Sequence, residues 1–305
     1  MSSTQGPRAS VIIPAYFSMS TIAACLDALR EQSFRDFEVI VVNSSPESET
    51  ERIVRAHYSE ARFTQSRARL LPHAARNLGA QQAAGELLVF TDPDCRPETA
   101  WLKSLVTAYE SGHGVIVGGM GLGSRSWWET GVHLCKFHWL LPTLKPGTKP
   151  CAATANAAYS RKLWESIGPF PGHVFCGDGI LTRRAALRGQ PPRFVPEAVV
   201  QHRHLDSFSG FCRQRFGRGR EYATAQIELM GPPTLFTWLR LTFSWVAIGW
   251  VLCRAGADAI RAGWGKAFVS TLPIQFVGHG MWEIGESAGT VRLLAQRLTK
   301  NVGAR

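Results

Sequence analysis

Two carboxylates two residues apart, Asp92 and Asp94, follow directly on the apolar run Leu87 to Phe90. Carboxylates at i and i+2 beyond a strand end can share a divalent cation; Mg²⁺ or Mn²⁺ takes such hard oxygen donors and uses them to hold phosphates. That chemistry suits a sugar-nucleotide ligand. The same Asp-Pro-Asp is also an ordinary turn sequence, because Pro presets φ and Asp bonds its own backbone. Further on, Val199-Val-Gln-His-Arg-His204 sets two histidines at i and i+2. On a strand both rings share a face, where they could bind metal or simply pack. The seven cysteines are scattered without a Cys-x-x-Cys pair, which argues against a disulfide framework and a structural zinc site. Cys95, beside the acidic motif, reads as a small packing residue, since the sequence positions no base for it.

These groups need a frame, and the hydrophobic pattern supplies one. Ala9 to Ile13 and Phe37 to Val42 are short apolar runs, separated by a segment whose Ile22, Leu26 and Leu29 recur at helical spacing. Helices are expected over Glu47 to Tyr58 and Pro72 to Ala84, and a strand over Leu87 to Phe90. This alternation predicts an α/β fold with a mainly parallel sheet sandwiched by helices. Ligands of such sheets bind beyond the carboxyl ends of the strands, where Pro14 to Phe17, Asn43 to Ser45 and Asp92 to Asp94 would converge. A strand is expected over Gly114 to Gly121, helices over Ser160 to Ile167 and Gly179 to Arg188, and short strands over Arg193 to Val195 and Ala198 to His202. The aromatic, His-containing stretch from Trp127 to Trp139 stays unassigned, as an acceptor-side helix or a lid.

The 305 residues carry 34 basic and 23 acidic side chains, a formal charge of +11, with only 19% charged residues and 45% hydrophobic ones. That balance points to a globular core with membrane contact. From Arg183 to Arg220 nine arginines face only Glu197 and Asp206. Phe208, Phe211, Phe216, Tyr222 and Ile227 fall largely on one helical face there, with arginines mostly on the other and Arg215 as an exception. Such a helix fits an anionic membrane surface or an ordinary packed helix with a solvated basic face. Two apolar stretches follow, Leu235 to Cys253 and Ala267 to Ile284. Five of the ten tryptophans lie between Trp238 and Trp282. Pro273, Gln275, His279 and Glu283 interrupt the second stretch, and Arg254, Arg261 and Lys266 lie between the two, so an interfacial or re-entrant hairpin is preferred over two clean spans. The N-terminus lacks the basic-then-apolar layout of a secretory signal, and the first two-thirds of the chain are placed in a reducing cytoplasm.

Four motifs in order, Ser10-Val-Ile-Ile-Pro-Ala-Tyr16, Phe37-Glu-Val-Ile-Val-Val42, Ala75-Arg-Asn-Leu-Gly79 and Gly85-Glu-Leu-Leu-Val-Phe-Thr-Asp-Pro-Asp94, resemble the family-two glycosyltransferases of GT-A fold. The resemblance covers roughly Ala9 to His204 and continues through Trp101 and Gly177-Asp178. It implies an inverting, metal-dependent transfer of sugar from a nucleoside diphosphate to an acceptor hydroxyl. By the same resemblance Pro14, Ala15 and Tyr16 form the nucleotide-base pocket, Arg76 lies near the nucleotide, and Asp92 touches the ribose or the metal shell. Asp94 is the direct ligand of Mg²⁺ or Mn²⁺, with His202 completing the sphere and His204 in reserve. Asp178 is similar to the family's catalytic base; local sequence alone equally makes it a helix N-cap. Asn156 matches a position near the bound sugar, or is a polar strand-end residue.

Two departures stand out. Many members read Val-Val-Asp-Asp-Gly-Ser where this chain has Val41-Val42-Asn43-Ser44-Ser45, so the carboxylate that typically grips the uracil or ribose is missing; Asn43 could still hydrogen-bond a base edge, and the donor base is left open. Gly177-Asp178-Gly179 replaces the commoner Glu-Asp pair. The expected organisation is a GT-A domain over residues 1–205, a basic amphipathic linker helix over 206–232 and a hydrophobic, membrane-associated helical region over 233–305. The expected partners are a nucleoside diphosphate sugar, a lipid-linked or saccharide acceptor and the inner face of the plasma membrane, with no nucleic acid. The other readings are a non-catalytic membrane-associated subunit that keeps the fold, and a sugar nucleotidyltransferase. Against the latter, no Gly-rich loop with a lysine is found near the N-terminus.

Overall fold

The computed structural model describes residues 6–174, 176–204, 207–230 and 242–302. They form two compact units, one of residues 1–123, 140–173 and 177–203, the other of residues 124–139, 174–176 and 204–305.

The first unit is built on a sheet. Strands β1 (Ala9–Ala15), β2 (Phe37–Asn43), β3 (Ala61–Gln65) and β4 (Leu87–Thr91) run parallel in the order β3-β2-β1-β4. β1 and β4 are buried throughout, the unbroken apolar pattern that parallel strands covered on both faces require. Pro14 is tolerated in β1 because the pairing with β4 has already ended at Ile12, so its missing N–H costs no ladder bond on that side. Helices α1 (Ile22–Arg30), α2 (Glu49–His57) and α3 (Pro72–Gln82) are the connections expected between these strands. α3 opens with Pro72 in its first turn, where a proline's missing N–H is harmless. Ala75 on α3 packs against Ile40 and Val42 of β2.

Beyond β4 the sheet becomes mixed. β5 (Cys95–Pro97), β6 (Val115–Leu122), β7 (Gly147–Thr148), β8 (Asn156–Ser160) and β9 (Arg193–His202) continue it as β4-β8-β6-β9-β5, with β7 on β9. β8 is antiparallel to both its neighbours, whereas β6 and β9 are parallel. β9 is one strand where two were expected. It bulges opposite Gly118 and Gly119, so that Val195 and Val199 follow one another in the ladder and Pro196, Glu197 and Ala198 are looped out. β3 and β8 had no sequence signal: β3 alternates little and is half exposed, and β8 is made largely of small residues. Helices α4 (Trp101–Glu110), α6 (Arg161–Ile167) and α7 (Gly177–Leu187) complete this unit, with α5 (Trp127–Phe137) belonging to the other.

The second unit is helical. The unassigned aromatic stretch is α5, and Ser126-Trp-Trp-Glu129 caps it: Ser126 Oγ accepts from the Glu129 N–H at 3.1 Å and donates to the Glu129 carboxylate at 3.0 Å. α8 (Phe208–Met230), α9 (Ser244–Arg261), α10 (Gly265–Ser270) and α11 (Leu272–Val302) follow. Val132, Cys135, Phe211 and Ile274 form a buried cluster among α5, α8 and α11. α8 and α11 pack backbone to backbone: a Cβ at Gly285 would strike the Phe216 carbonyl, and one at Gly219 the Trp282 carbonyl. Among the described residues no helix is long and apolar enough to cross a membrane. Gln275, His279, Glu283 and Glu286 lie along α11 and are buried. Part of the stretch Leu235 to Cys253, and Asp206, lie outside the described residues.

Candidate active site

Parallel pairing puts the carboxyl ends of β1, β2 and β4 on one edge of the sheet, and the acidic motif leaves that edge as a tight turn. The Cys95 N–H donates to the Asp92 carbonyl at 3.1 Å, and the Arg203 N–H donates to the Asp94 carbonyl at 3.1 Å. β5 pairs antiparallel with β9 so that Cys95 lies directly opposite His202. The result is a three-residue cluster: a carboxylate oxygen of Asp94, the Cys95 sulfur and a ring nitrogen of His202 all lie within 4.8 Å of one another. His202 Nε2 is 3.8 Å from Asp94 Oδ2. Carboxylate and imidazole suit Mg²⁺, Mn²⁺ or a later first-row ion, and a sulfur in the set would favour the softer ones. Cys95 was read as a packing residue beside the acidic motif; the strand register that sets it opposite His202 is not readable from spacing. Burial, with Asp94 and Asp92 adding to it, pushes its thiol well above the ordinary range.

Asp92 forms an ion pair with Arg76 of α3, whose guanidinium is almost fully buried. One turn earlier on the same face, His73 Nδ1 lies 3.4 Å from Arg76 Nη1. Asp178, second residue of α7, is about one quarter exposed; its Oδ1 accepts from the Gly179 N–H at 2.9 Å. Its backbone N–H points at His73 Nε2, 3.3 Å away. Asp92, Arg76, His73 and Asp178 are thus a continuous row of contacts from the end of β4 to the start of α7.

At the end of β1, Tyr16 is exposed, meets Phe17 edge to face, and lies under the Arg69 guanidinium at 4.8 Å. Phe17 has φ of 50°, a strained value for a side chain of that size. Pro14 and Ala15 are within the strand, Ala15 buried. Phe17 follows Tyr16 in the chain, whereas Arg69 gave no motif signal and only the fold sets it over the Tyr16 ring.

Two expected ligand contacts are engaged elsewhere. Asn156 is fully buried; its Oδ1 accepts from Trp101 Nε1 at 2.8 Å, and its Nδ2 donates to the carbonyls of Gly119 and Ala198 at 2.9 and 2.8 Å. It clamps the sheet at the β9 bulge and presents no surface to a sugar, because the bulge leaves carbonyls that need a buried donor. Asn43 is also fully buried, donating to Gln65 and accepting from Ser45. Glu47 shares the Ser45 hydroxyl with Asn43 and accepts from the hydroxyls of Ser45 and Thr50. Burial pushes that carboxyl up, but the bonds from Thr50 and Ser45 outweigh it and hold it below the ordinary range. His204 lies past the end of β9 and pairs with His133, nitrogen to nitrogen at 3.1 Å.

Comparison with known proteins agrees with this architecture. Residues 10–187 match the family model described as glycosyl transferase family 2. The glycosyltransferase AglE of Haloferax volcanii is 30% identical over 204 residues, covering 64% of this chain and 67% of its own length. A GalNAc(5)-diNAcBac-PP-undecaprenol beta-1,3-glucosyltransferase of Campylobacter jejuni is 24% identical over 116 residues, 37% of this chain and 38% of its own. Among solved structures, the mannosyltransferase PcManGT of Pyrobaculum calidifontis, in complex with GDP-Man and Mn²⁺, superposes with a TM-score of 0.59 at 20% identity, covering 89% of this chain and 86% of that one. That likeness establishes the fold. With the family match spanning more than half of the chain, this protein belongs to glycosyltransferase family 2.

Proposed function

We propose that the chain transfers a sugar, with inversion, from a nucleoside diphosphate sugar to the hydroxyl of a lipid-linked or saccharide acceptor, in a divalent-cation-dependent reaction at the inner membrane face. The observation that carries this is the meeting of Asp94 and His202 beside Asp92 at the end of β4. Asp94 and His202 would hold the cation, Mg²⁺ or Mn²⁺, with Asp92 in its outer shell or on the ribose. When bound, the cation neutralises the charge that develops on the departing diphosphate. Tyr16, with Pro14 and Ala15 behind it and Arg69 above, offers the aromatic surface on which a base stacks. Asp178 takes the proton from the acceptor hydroxyl as its oxygen attacks the anomeric carbon from the face opposite the diphosphate.

The acceptor class rests on relatives: the Campylobacter jejuni enzyme is named for an undecaprenol-linked substrate. The membrane face rests on the helical unit, where Trp245, Trp250, Ile260, Val269, Phe276 and Ile284 are exposed. Isolated exposed apolar residues are normal, but this many large ones on one unit of a basic chain suits an interfacial contact with anionic lipid.

Calorimetry of the full chain against uridine and guanosine diphosphates, with and without Mn²⁺, tests the donor site. Cation-dependent binding of one nucleotide, lost in Asp94→Ala, is expected; no binding of either to folded protein overturns the proposal. Flotation with vesicles containing anionic lipid, against neutral vesicles, tests the membrane contact.

A further inference from the structure

At the end of β2 the polar side chains are committed to one another. Asn43, where many members carry an aspartate, is fully buried; its Nδ2 donates to Gln65 Oε1 at 2.9 Å and its Oδ1 accepts from the Ser45 hydroxyl at 2.9 Å. Gln65 Nε2 donates in turn to the carbonyls of Ser45 and Ser66, both at 3.1 Å. Glu47 is the only carboxylate between Asn43 and Ser48. It is engaged at the start of α2, accepting from the Thr50 N–H at 2.9 Å and from the hydroxyls of Ser45 and Thr50. Two amides and one carboxylate thus hold the loop that follows β2, where the family pattern has an acid for the nucleoside.

Arg69 is in the opposite condition. It lies in the loop between β3 and α3, is exposed, and among the described residues makes no hydrogen bond or ion pair. What holds it is the Tyr16 ring, whose centroid is 4.8 Å from the guanidinium carbon. Tyr16 is 39% exposed and is braced by Phe17, edge to face with centroids 4.8 Å apart. An exposed cation–π contact is a weak hold. A base stacked on an aromatic ring is held more strongly, and stacking is indifferent to which base it is. A base arriving on Tyr16 therefore moves the guanidinium from the ring face to the base edge, and the identity of the base is read there.

A guanidinium has donors only, five of them in a planar fork. Guanine sets two acceptors, O6 and N7, side by side, and one guanidinium meets both with parallel bonds; adenine has an amino donor beside N7. Uracil carries N3–H between its two carbonyls, a donor that calls for the missing carboxylate. We propose that Arg69 selects the donor nucleotide: its guanidinium donates to O6 and N7 of a guanine stacked on Tyr16, so that the chain takes a guanosine diphosphate sugar in preference to a uridine one. The inference rests on the base pocket given to Tyr16 above and names the nucleotide that fills it.

The test is calorimetry of the full chain with Mn²⁺ against guanosine, 7-deazaguanosine and uridine diphosphates, on wild type and Arg69→Ala. Wild type should bind guanosine diphosphate about 10- to 100-fold more tightly than uridine diphosphate, the discrimination that one bidentate pair supplies. The 7-deaza analogue, which has C–H in place of N7, should bind about 10-fold more weakly than its parent. Arg69→Ala should bring guanosine diphosphate down to the level of uridine diphosphate, whose own Kd moves much less. A wild type that prefers uridine diphosphate, or a guanosine preference that survives in Arg69→Ala, overturns the inference. Equal weakening of both nucleotides in that variant also overturns it, by placing Arg69 on the diphosphate. In each of those outcomes a nucleotide still binds and the transferase reading stands. Binding of no nucleotide by folded wild type overturns that reading, and this inference with it.

Discussion

In the sheet unit the polar groups assigned to chemistry stand at strand and helix ends, with Asp92, Asp94 and Asp178 all partly exposed. In the helical unit the polar groups are buried in mid-helix. Arg215, His279, Glu283 and Glu286 are 8%, 8%, 8% and 3% exposed, while Trp245, Trp250, Ile260, Phe276 and Ile284 lie outside. Arg215 donates to the Gly278 carbonyl at 3.2 Å and lies over the Trp282 ring at 4.6 Å. The first unit displays its polarity to a ligand; the second spends it on holding helices together and leaves apolar surface outside. Mutations should therefore separate cleanly, lost turnover without lost stability in one unit and the reverse in the other.

The largest expected effect is that of Asp178→Asn. Removal of a general base should lower kcat by about 10² to 10⁴-fold with little change in thermal unfolding. A variant of full activity would return the site to a non-catalytic role. Next comes Gly285→Ala, whose new methyl meets the Phe216 backbone. Overpacking of this kind costs about 1–3 kcal/mol, and hydrogen exchange should place the loss in α8 and α11 while nucleotide binding by the sheet unit is kept. Uniform loss of protection throughout the chain would show that the two units unfold as one.

A smaller effect should appear with pH. Burial, then the charges of Arg215 and His138, pushes the His279 imidazole from the ordinary 6.5 down to about 3. The folded state thus binds fewer protons than the unfolded chain between those values. Stability is complete above about pH 6.5 and falls as pH drops towards 3, by at most about 1.4 kcal/mol per pH unit from this residue. Denaturant unfolding at pH 7 and pH 5 should show the slope, and His279→Gln should flatten it; an unchanged slope would remove His279 from the helical core. The smallest effect tests the cation cluster. Co²⁺ bound to the wild type should show a sulfur-to-metal absorption if Cys95 coordinates and none in Cys95→Ser, whereas identical spectra would leave Cys95 as packing.

The comparison also separates what was legible in the sequence from what was not. β1, β2 and β4 were readable because strands buried on both faces are near-continuous apolar runs, and the Asp-Pro-Asp turn was readable because it ends one of them. α5 was left open between a helix and a lid although its Ser126 and Glu129 carry a capping-box signature, because the aromatic residues between and after them obscured the helical period. That Asn156 and Asn43 are both fully buried in the sheet unit was not legible for a common reason. A motif position says that a side chain is polar, but not whether a bulge or a neighbouring strand has already claimed its hydrogen bonds. β8 was invisible because Asn-Ala-Ala-Tyr-Ser has little strand character of its own and is held by neighbours on both sides.

By itself the sequence determined the α/β class, the order of the first strands and the family, since each depends on local periodicity and on motifs of fixed spacing. Only the tertiary structure decided that Cys95 faces His202, that His73 fills the space left by Gly177, and that the polar residues of α11 turn inward. Those pairings join residues separated by tens to more than a hundred positions, and neither propensity nor period acts over that range. Strand register and helix packing do.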